Sequence, residues 1–342
     1  MRDLDDESSL VGQRPLTSIF FGGGTPSLFS PDSIHKIMLG IDERFKPGGD
    51  IEVTMEANPG TFEQSNFSEF RAAGINRLSI GIQSFDNELL KNIGRIHDGQ
   101  QSRSAISTAI DAGFKNINLD LMFGLPGQSL KQATSDVEIA CEQNIQHISH
   151  YQLTIEPNTY FHKHTPALPD SELLWSMQDI CHGVLSDNEF YQYEVSAFAK
   201  KGAQCKHNLN YWVFGDYIGA GAGAHGKLSF PANNEYKITR RTKKRQPNEY
   251  ITNSLSDEIS GSLSESSVIE RDEIIFEFLL NALRLKQGIT FDLFENNTGL
   301  DKNMLLDACT SIDADLLVVD KIGIKTSEKG YRFLNDVLER FL

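Results

Sequence analysis

Between residues 17 and 153, five short apolar runs recur, and each ends in a glycine turn or a polar side chain. The runs are 17–21, 51–56, 77–81, 116–121 and 148–153. They are rich in Ile, Val and Phe and flanked by Gly, Pro, Asn or Asp, the composition of strands. Helical patterns lie between them. Ser30-Pro31-Asp32 precedes Ile34, Ile37, Met38 and Ile41, and runs from Thr61 and Ser102 stop at Gly74 and Gly113. A further helix is expected over 129–141. Successive runs begin about 25–40 residues apart, which is what repeated βα units need. The spacing predicts a parallel sheet, either open and doubly wound or closed into a full or partial barrel.

The strand ends are the informative positions. Gly22-Gly23-Gly24-Thr25-Pro26 follows the first, Glu56-Ala57-Asn58-Pro59 the second and Gln83-Ser84-Phe85 the third. Asp120 closes the fourth, and Thr154 and Glu156 close the fifth. In a barrel such ends converge on one rim, where ligands bind.

Beyond residue 256 the chain turns Ser-rich and acidic, which reads as a linker to 267. A compact unit follows, with Ile275, Phe278, Leu279 and Ala282 on one helical face. A helix over 302–312, two short strands at 316–319 and 323–326, and a last helix over 331–342 suggest a winged-helix-like module. Such modules often bind DNA, but the formal charge is 32 − 47 = −15 and Lys and Arg are sparse here. A packing role is expected, and nucleic acid is not a partner. No apolar stretch approaches the roughly 20 residues of a membrane helix, and the acidic start is unlike a signal peptide, so the expected location is cytoplasmic.

Other motifs read ambiguously. Gly219-Ala220-Gly221-Ala222-Gly223-Ala224-His225 matches G-x-G-x-x-A, but Lys227 to Pro231 is extended where that motif needs a helix. His207-Asn208-Leu209-Asn210-Tyr211-Trp212 groups a metal-capable imidazole with amides and aromatic rings, fit either for haem or for an aromatic core. The basic run Lys237, Arg240, Arg241, Lys243, Lys244 and Arg245 is either a solvated strand or an anion site, for example for haem propionates. Four cysteines, 141, 181, 205 and 309, lie at least 24 residues apart and read as buried thiols.

Taken in order, GGGTP, MEANPG at 55–60, RLSIGIQSF at 77–85, GRIH at 94–97, NLDLMFGLPGQS at 118–129, YQLTIEPNT at 151–159, HNLNYW at 207–212 and DYIGAGAGAHG at 216–226 resemble the HemW family of radical-SAM-like haem chaperones. That family is related to the oxygen-independent coproporphyrinogen III dehydrogenases. The resemblance implies a partial (β/α) barrel over 1–235, a basic segment and linker over 236–267, and the HemN-type C-terminal domain over 268–342. It implies that Gly23, Gly24, Thr25 and Pro26 contact the methionine end of S-adenosylmethionine. Glu56, Gln83, Arg95 and Asp120 would face the same ligand, with Thr154 and Ala224 lining the rest of the site. His207 is the implied haem ligand.

The resemblance also implies a [4Fe–4S] cluster held by C-x-x-x-C-x-x-C after the first barrel strand, and these 342 residues contain no such motif. On this comparison the chain is expected to lack the first strand and the cluster loop, as an N-terminal truncation. No cluster and no radical chemistry are then expected on the chain as written. The function expected is haem binding and delivery to respiratory membrane proteins, with peripheral membrane contact during delivery and a homodimer as one state. The alternatives are an oxygen-independent coproporphyrinogen III dehydrogenase and an inactive remnant.

Overall fold

The structure, a computed structural model, describes residues 1–232, 235–255 and 261–342, so residues 256–260 of the expected linker lie outside it. The chain divides into two compact units: Ser18–Met38 with Asp50–Gln204, and Met1–Thr17 with Leu39–Gly49 and Cys205–Leu342. No helix among the described residues is long and apolar enough to cross a membrane.

The first unit is a single curled sheet with helices on one side. Its strands are β1 (Ser18–Phe21), β2 (Glu52–Ala57), β3 (Arg77–Gln83), β4 (Asn116–Phe123), β5 (His147–Gln152), β6 (Tyr191–Glu194) and β7 (Ala197–Ala199). They lie in the order β1-β2-β3-β4-β5-β7-β6, with β1 to β5 parallel and β7 antiparallel to both β5 and β6. All five expected strands form within a residue or two of their expected bounds. The β6–β7 hairpin was not foreseen.

Side-chain alternation decides between the two sheet types left open by spacing. One face carries Val53, Met55, Leu78, Ile80, Ile82, Ile117, Leu119, Leu121 and Ile148, packed into one core with helical residues such as Phe67, Ile106, Val137 and Met177. The other face carries Thr54, Glu56, Arg77, Ser79, Asn118, Asp120, His147, Ser149 and Tyr151. An open doubly wound sheet is apolar on both faces. A sheet apolar on one face only curls that face under helices and keeps the other as an interior. The fold is therefore a partial barrel.

The second unit contains a helix over Arg2–Val11, a short helix over Lys206–Trp212 and two small sheets. β8 (His225–Ala232), β9 (Glu235–Lys243) and β10 (Leu263–Val268) form an antiparallel sheet in the order β10-β9-β8. The strand beginning at His225 confirms that no helix follows the glycine-rich loop. Helices Arg271–Ala282, Phe291–Thr298 and Lys302–Cys309 combine with β11 (Ile289–Thr290), β12 (Leu317–Val319) and β13 (Gly323–Thr326), ordered β11-β13-β12, as a winged-helix arrangement. Ile274, not Ile275, joins Phe278, Leu279 and Ala282 in its core. The expected last helix is two short ones, Glu328–Arg332 and Leu334–Glu339.

The basic run is partly solvated, with Lys237 and Arg245 exposed, and partly paired inside the unit. It is β9 and its continuation, and four of its six cations find partners within this unit. Lys243, 2% exposed, donates to Asp3 Oδ1 at 2.5 Å, Glu7 Oε1 at 2.6 Å and Ser262 Oγ at 3.2 Å. Arg241 pairs with Glu7 at 3.1 Å, Arg240 with Glu277, and Lys244 with Glu249 at 3.0 Å. Strand β10 thus falls largely in the 256–267 stretch where a linker was expected, and β9 is the basic segment itself. Burial alone would raise the Asp3 carboxyl, but hydrogen bonds from Lys243 and Tyr250 hold it below its ordinary value.

Lys243→Met should leave buried Asp3 without its cation and Glu7 with Arg241 alone, and destabilise the chain by about 3–5 kcal/mol. The triple change Lys243→Met, Asp3→Asn, Glu7→Gln should recover most of that loss in a denaturant titration. Because the folded Asp3 value is depressed, its contribution is present above its ordinary pKa of 3.8 and is lost as pH falls through the lower folded value.

Candidate functional site

The C-terminal ends of β1 to β5 carry the residues that the strand-end pattern singled out. After β1 the chain turns through Gly23 and Gly24 at φ of 81° and 62°. A Cβ added to either would meet nothing within 4 Å, so the requirement for glycine here is conformational and the space beyond is open. Thr25 and Pro26 then enter a short 3₁₀ turn over Pro26–Leu28. The Gly23 N–H donates to Glu56 Oε2 at 3.1 Å, tying this turn to the end of β2.

Two acids share the rim, and among the described residues neither has a cation in hydrogen-bond contact. Burial pushes the Glu56 carboxyl up, the Gly23 N–H opposes this, and the charge of Asp120 adds to it. Burial likewise raises Asp120, against hydrogen bonds from Asn118 Nδ2 at 2.9 Å and Ser79 Oγ at 3.2 Å and the charge of Arg77. Two half-buried carboxylates that repel one another form a natural seat for a cation or for hydroxyl donors.

β3 delivers Gln83, whose Oε1 accepts from the Tyr151 hydroxyl of β5 at 3.0 Å. Burial raises the Tyr151 phenol; the charges of Asp120 and Glu56 push the same way, while Arg95 and the Gln83 hydrogen bond oppose. One phenol thus senses groups from β2, β3, β4 and the loop bearing Arg95, which shows these ends converging. Tyr151 was not among the expected site residues. Its in-facing register with His147 and Ser149 was the available signal. Arg95 is exposed and donates to Asn58 Oδ1 at 3.3 Å, and buried His97 pins the same loop to the Ile82 carbonyl at 3.1 Å. Thr154 is exposed and donates to Glu156 Oε1 at 3.0 Å.

Ala224 and His207 belong to the other unit. Ala224 directly precedes β8. His207 is half-buried on helix Lys206–Trp212, with the Tyr211 ring edge-on at 4.9 Å and Tyr217 a further 4.5 Å along.

The cysteines are core residues. Burial raises the thiols of Cys141 and Cys309 to about 11 and that of Cys181 to about 12, the opposite of what thiolate ligation needs. No group of three or more His, Cys, Asp or Glu suited to a metal occurs among the described residues.

Residues 2–138 match the Radical SAM superfamily and residues 269–333 the HemN C-terminal domain. The chain is 43% identical over 341 residues to the heme chaperone HemW of Haemophilus influenzae, an alignment covering 99% of this chain and 86% of that one. It is 42% identical over 344 residues to the heme chaperone HemW of Escherichia coli, covering 100% and 88%. The solved structure of coproporphyrinogen III oxidase (HemN) from Escherichia coli superposes with a TM-score of 0.79 at 20% identity, over 99% of this chain and 81% of that one. That last likeness is one of fold.

Glu56→Gln removes one of two facing carboxylates and keeps an oxygen for the Gly23 N–H. Both acids sit above their ordinary values of 4.5 and 3.8, so the native chain holds protons there that the unfolded chain releases. Stability from this source is full at low pH and is lost as pH rises through the folded values. The variant should therefore unfold at a higher temperature than the wild type at pH 7.5 and show no gain at pH 4. A lower midpoint at pH 7.5 would mean that the charge on Glu56 is stabilised by a partner.

Proposed function

The chain belongs to the HemW family of the radical SAM superfamily, and from that premise we propose that it is a haem chaperone that binds haem through His207. The observation that carries this is the helix Lys206–Trp212, which sets a half-buried imidazole edge to face with Tyr211 and continues to Tyr217. A flat apolar macrocycle is suited by aromatic rings flanking an imidazole that can reach its iron. In this reading the chain is cytoplasmic and passes haem to respiratory membrane proteins, meeting the membrane through them. A homodimer is the oligomer to look for.

Membership in the superfamily implies S-adenosylmethionine and a [4Fe–4S] cluster. The rim residues fit the first. S-adenosylmethionine offers an ammonium, a sulfonium, a carboxylate and two ribose hydroxyls. The raised acids Glu56 and Asp120 suit the cationic and hydroxyl groups, exposed Arg95 suits the carboxylate, and the open turn at Gly23 and Gly24 admits the methionine end. Gln83, Thr25, Pro26 and Thr154 complete the set on this unit. When bound, the cluster supplies the electron that cleaves S-adenosylmethionine in this superfamily. The four dispersed cysteines, of which Cys181, Cys205 and Cys309 are buried and Cys141 partly so, do not fit its ligation. The chemistry assigned to the rim is accordingly ligand binding, with Glu56 orienting the turn and Gln83 and Asp120 presenting polar groups.

Haem titration followed by absorbance should give a Soret shift for the wild type and at least a tenfold weaker, spectrally altered complex for His207→Ala, since loss of an axial ligand removes at least ~1.4 kcal/mol. Identical affinity and spectra would remove His207 as the ligand. An anaerobic assay for porphyrinogen decarboxylation should show no product, and turnover would assign the chain to the coproporphyrinogen dehydrogenases instead.

A further inference from the structure

β3 ends in a backbone conformation that glutamine rarely adopts. Gln83 has φ of 66°, and the Ser84 N–H donates to the Ile82 carbonyl at 2.8 Å, which places Gln83 at the apex of a positive-φ γ-turn. Such a turn is strained in any residue but glycine and persists only where its surroundings over-determine it. It lies where the pairing of β3 with β4 slips between Ile80 and Gln83. The side chain is 4% exposed, and Tyr151 occupies its Oε1, leaving the Nε2 hydrogens to donate to a ligand oxygen.

Buried contacts grip the turn on both sides. Before it, His97 Nε2 lies 3.1 Å from the Ile82 carbonyl. After it, Asp136 Oδ2 accepts from Ser84 Oγ at 2.7 Å and Oδ1 accepts from the Phe85 N–H at 2.7 Å. Ser84 Oγ in turn accepts from the Asp86 N–H at 3.0 Å. Asp136 stands within helix Leu130–Cys141 and is 3% exposed. Burial pushes its carboxyl up to about 6. Asp86 adds to that rise and Arg103 opposes it; the Cys181 thiol is the other titratable group in its field. Packing a helix on a strand needs no carboxylate at this position, and an apolar or amide side chain would avoid the unfavourable burial. Its two hydrogen bonds both go to the segment that follows Gln83.

We propose that Asp136 is a positioning residue that clamps Ser84 and Phe85 so that the strained Gln83 presents its carboxamide to S-adenosylmethionine, with His97 bracing the other side. The proposal rests on the reading above that Gln83 faces that ligand. Asp136→Asn is the central variant. It removes a buried charge and leaves a single acceptor oxygen to be shared by the Ser84 hydroxyl and the Phe85 N–H, so the clamp loosens without a loss of global stability. Because the folded pKa is raised, wild-type stability should fall as pH rises from 3.8 to about 6, and the variant should lose that slope.

Two readouts separate positioning from plain packing. Hydrogen exchange at the Phe85 amide should speed up about tenfold or more in Asp136→Asn, while thermal stability at pH 7.5 is held or raised; one lost hydrogen bond of about 1.4 kcal/mol gives that factor. S-adenosylmethionine affinity by calorimetry should fall by a similar factor. Ser84→Ala, which deletes only the hydroxyl partner, should do the same in milder form and serves if Asp136→Asn is poorly folded. Gln83→Ala should weaken binding and leave Phe85 exchange unchanged. Wild-type exchange and affinity in both Asp136→Asn and Ser84→Ala, with binding weakened in Gln83→Ala, would overturn the proposal alone. No effect of Gln83→Ala on affinity, or no binding by the wild type, would overturn the ligand reading, and the Phe85 exchange rate would still decide whether Asp136 holds the turn.

Discussion

The Asn118 carboxamide joins three strands inside the barrel, and the rim above it depends on that junction. Its Nδ2 donates to Ser79 Oγ on β3 at 2.8 Å and to Asp120 Oδ1 at 2.9 Å. Its Oδ1 accepts from Ser149 Oγ on β5 at 3.1 Å and from His147 Nδ1 at 2.6 Å. The proton of His147 is therefore on Nδ1, and Nε2 accepts from the Tyr193 hydroxyl of β6 at 2.9 Å. Burial, helped by the charge of Arg77, pushes this histidine well below its ordinary pKa and keeps it neutral. A polar interior face is stable only when its donors and acceptors satisfy one another. Here the satisfied chain spans β3 to β6 and fixes where Asp120 can stand.

That arrangement bears on why, among the described residues, the rim acids have no cation in hydrogen-bond contact. Arg77 is 2% exposed, and its charge lowers the Asp120 carboxyl. It stands deeper, at the start of β3, where it donates to Thr54 Oγ1 at 3.5 Å. Its charge opposes the rise of the Asp120 carboxyl, and burial outweighs it. A ligand with positive charge would relieve the repulsion between Asp120 and Glu56 when it binds. The Gln83 turn follows the same logic: a conformation unfavourable in the free chain is held ready by side chains whose own burial is unfavourable. Stability given up in this way is the usual signature of a binding site.

Much of this was legible from residue order because parallel strands in a partial barrel repeat at βα spacing and end at one rim. Glycine, carboxylate and amide at those ends were visible as departures from apolar runs. The β6–β7 hairpin was not, since strands of four and three residues around Val195 and Ser196 are too short to show a period. Helix Phe291–Thr298 escaped for a similar reason, its eight residues being set by the Thr290 cap more than by a long apolar stripe. Tyr151 in strand β5 and Asp136 in helix Leu130–Cys141 were not singled out from the sequence. Only the fold shows that the first meets Gln83 and the second meets the turn behind it.

The second unit illustrates the harder case, in which a charge pattern cannot be read until distant partners meet. The basic strand β9 invites an external anion, yet Arg240 pairs with Glu277, and Arg241 and Lys243 meet Asp3 and Glu7, more than two hundred residues earlier in the chain. The glycine-rich loop before β8 repeats the lesson. Gly221 turns at φ of 117°, and its N–H points to Asp3 Oδ2 at 3.2 Å and to the Tyr250 hydroxyl at 3.1 Å, which itself donates to Asp3 at 2.6 Å. In a dinucleotide site a backbone amide of such a loop would meet a phosphate at the start of a helix. Here a strand follows, and a carboxylate from the N-terminal helix takes the anion's place. The acidic opening of the sequence is thus the internal counterpart of both the basic strand and the glycine loop, and these three features hold one another in register.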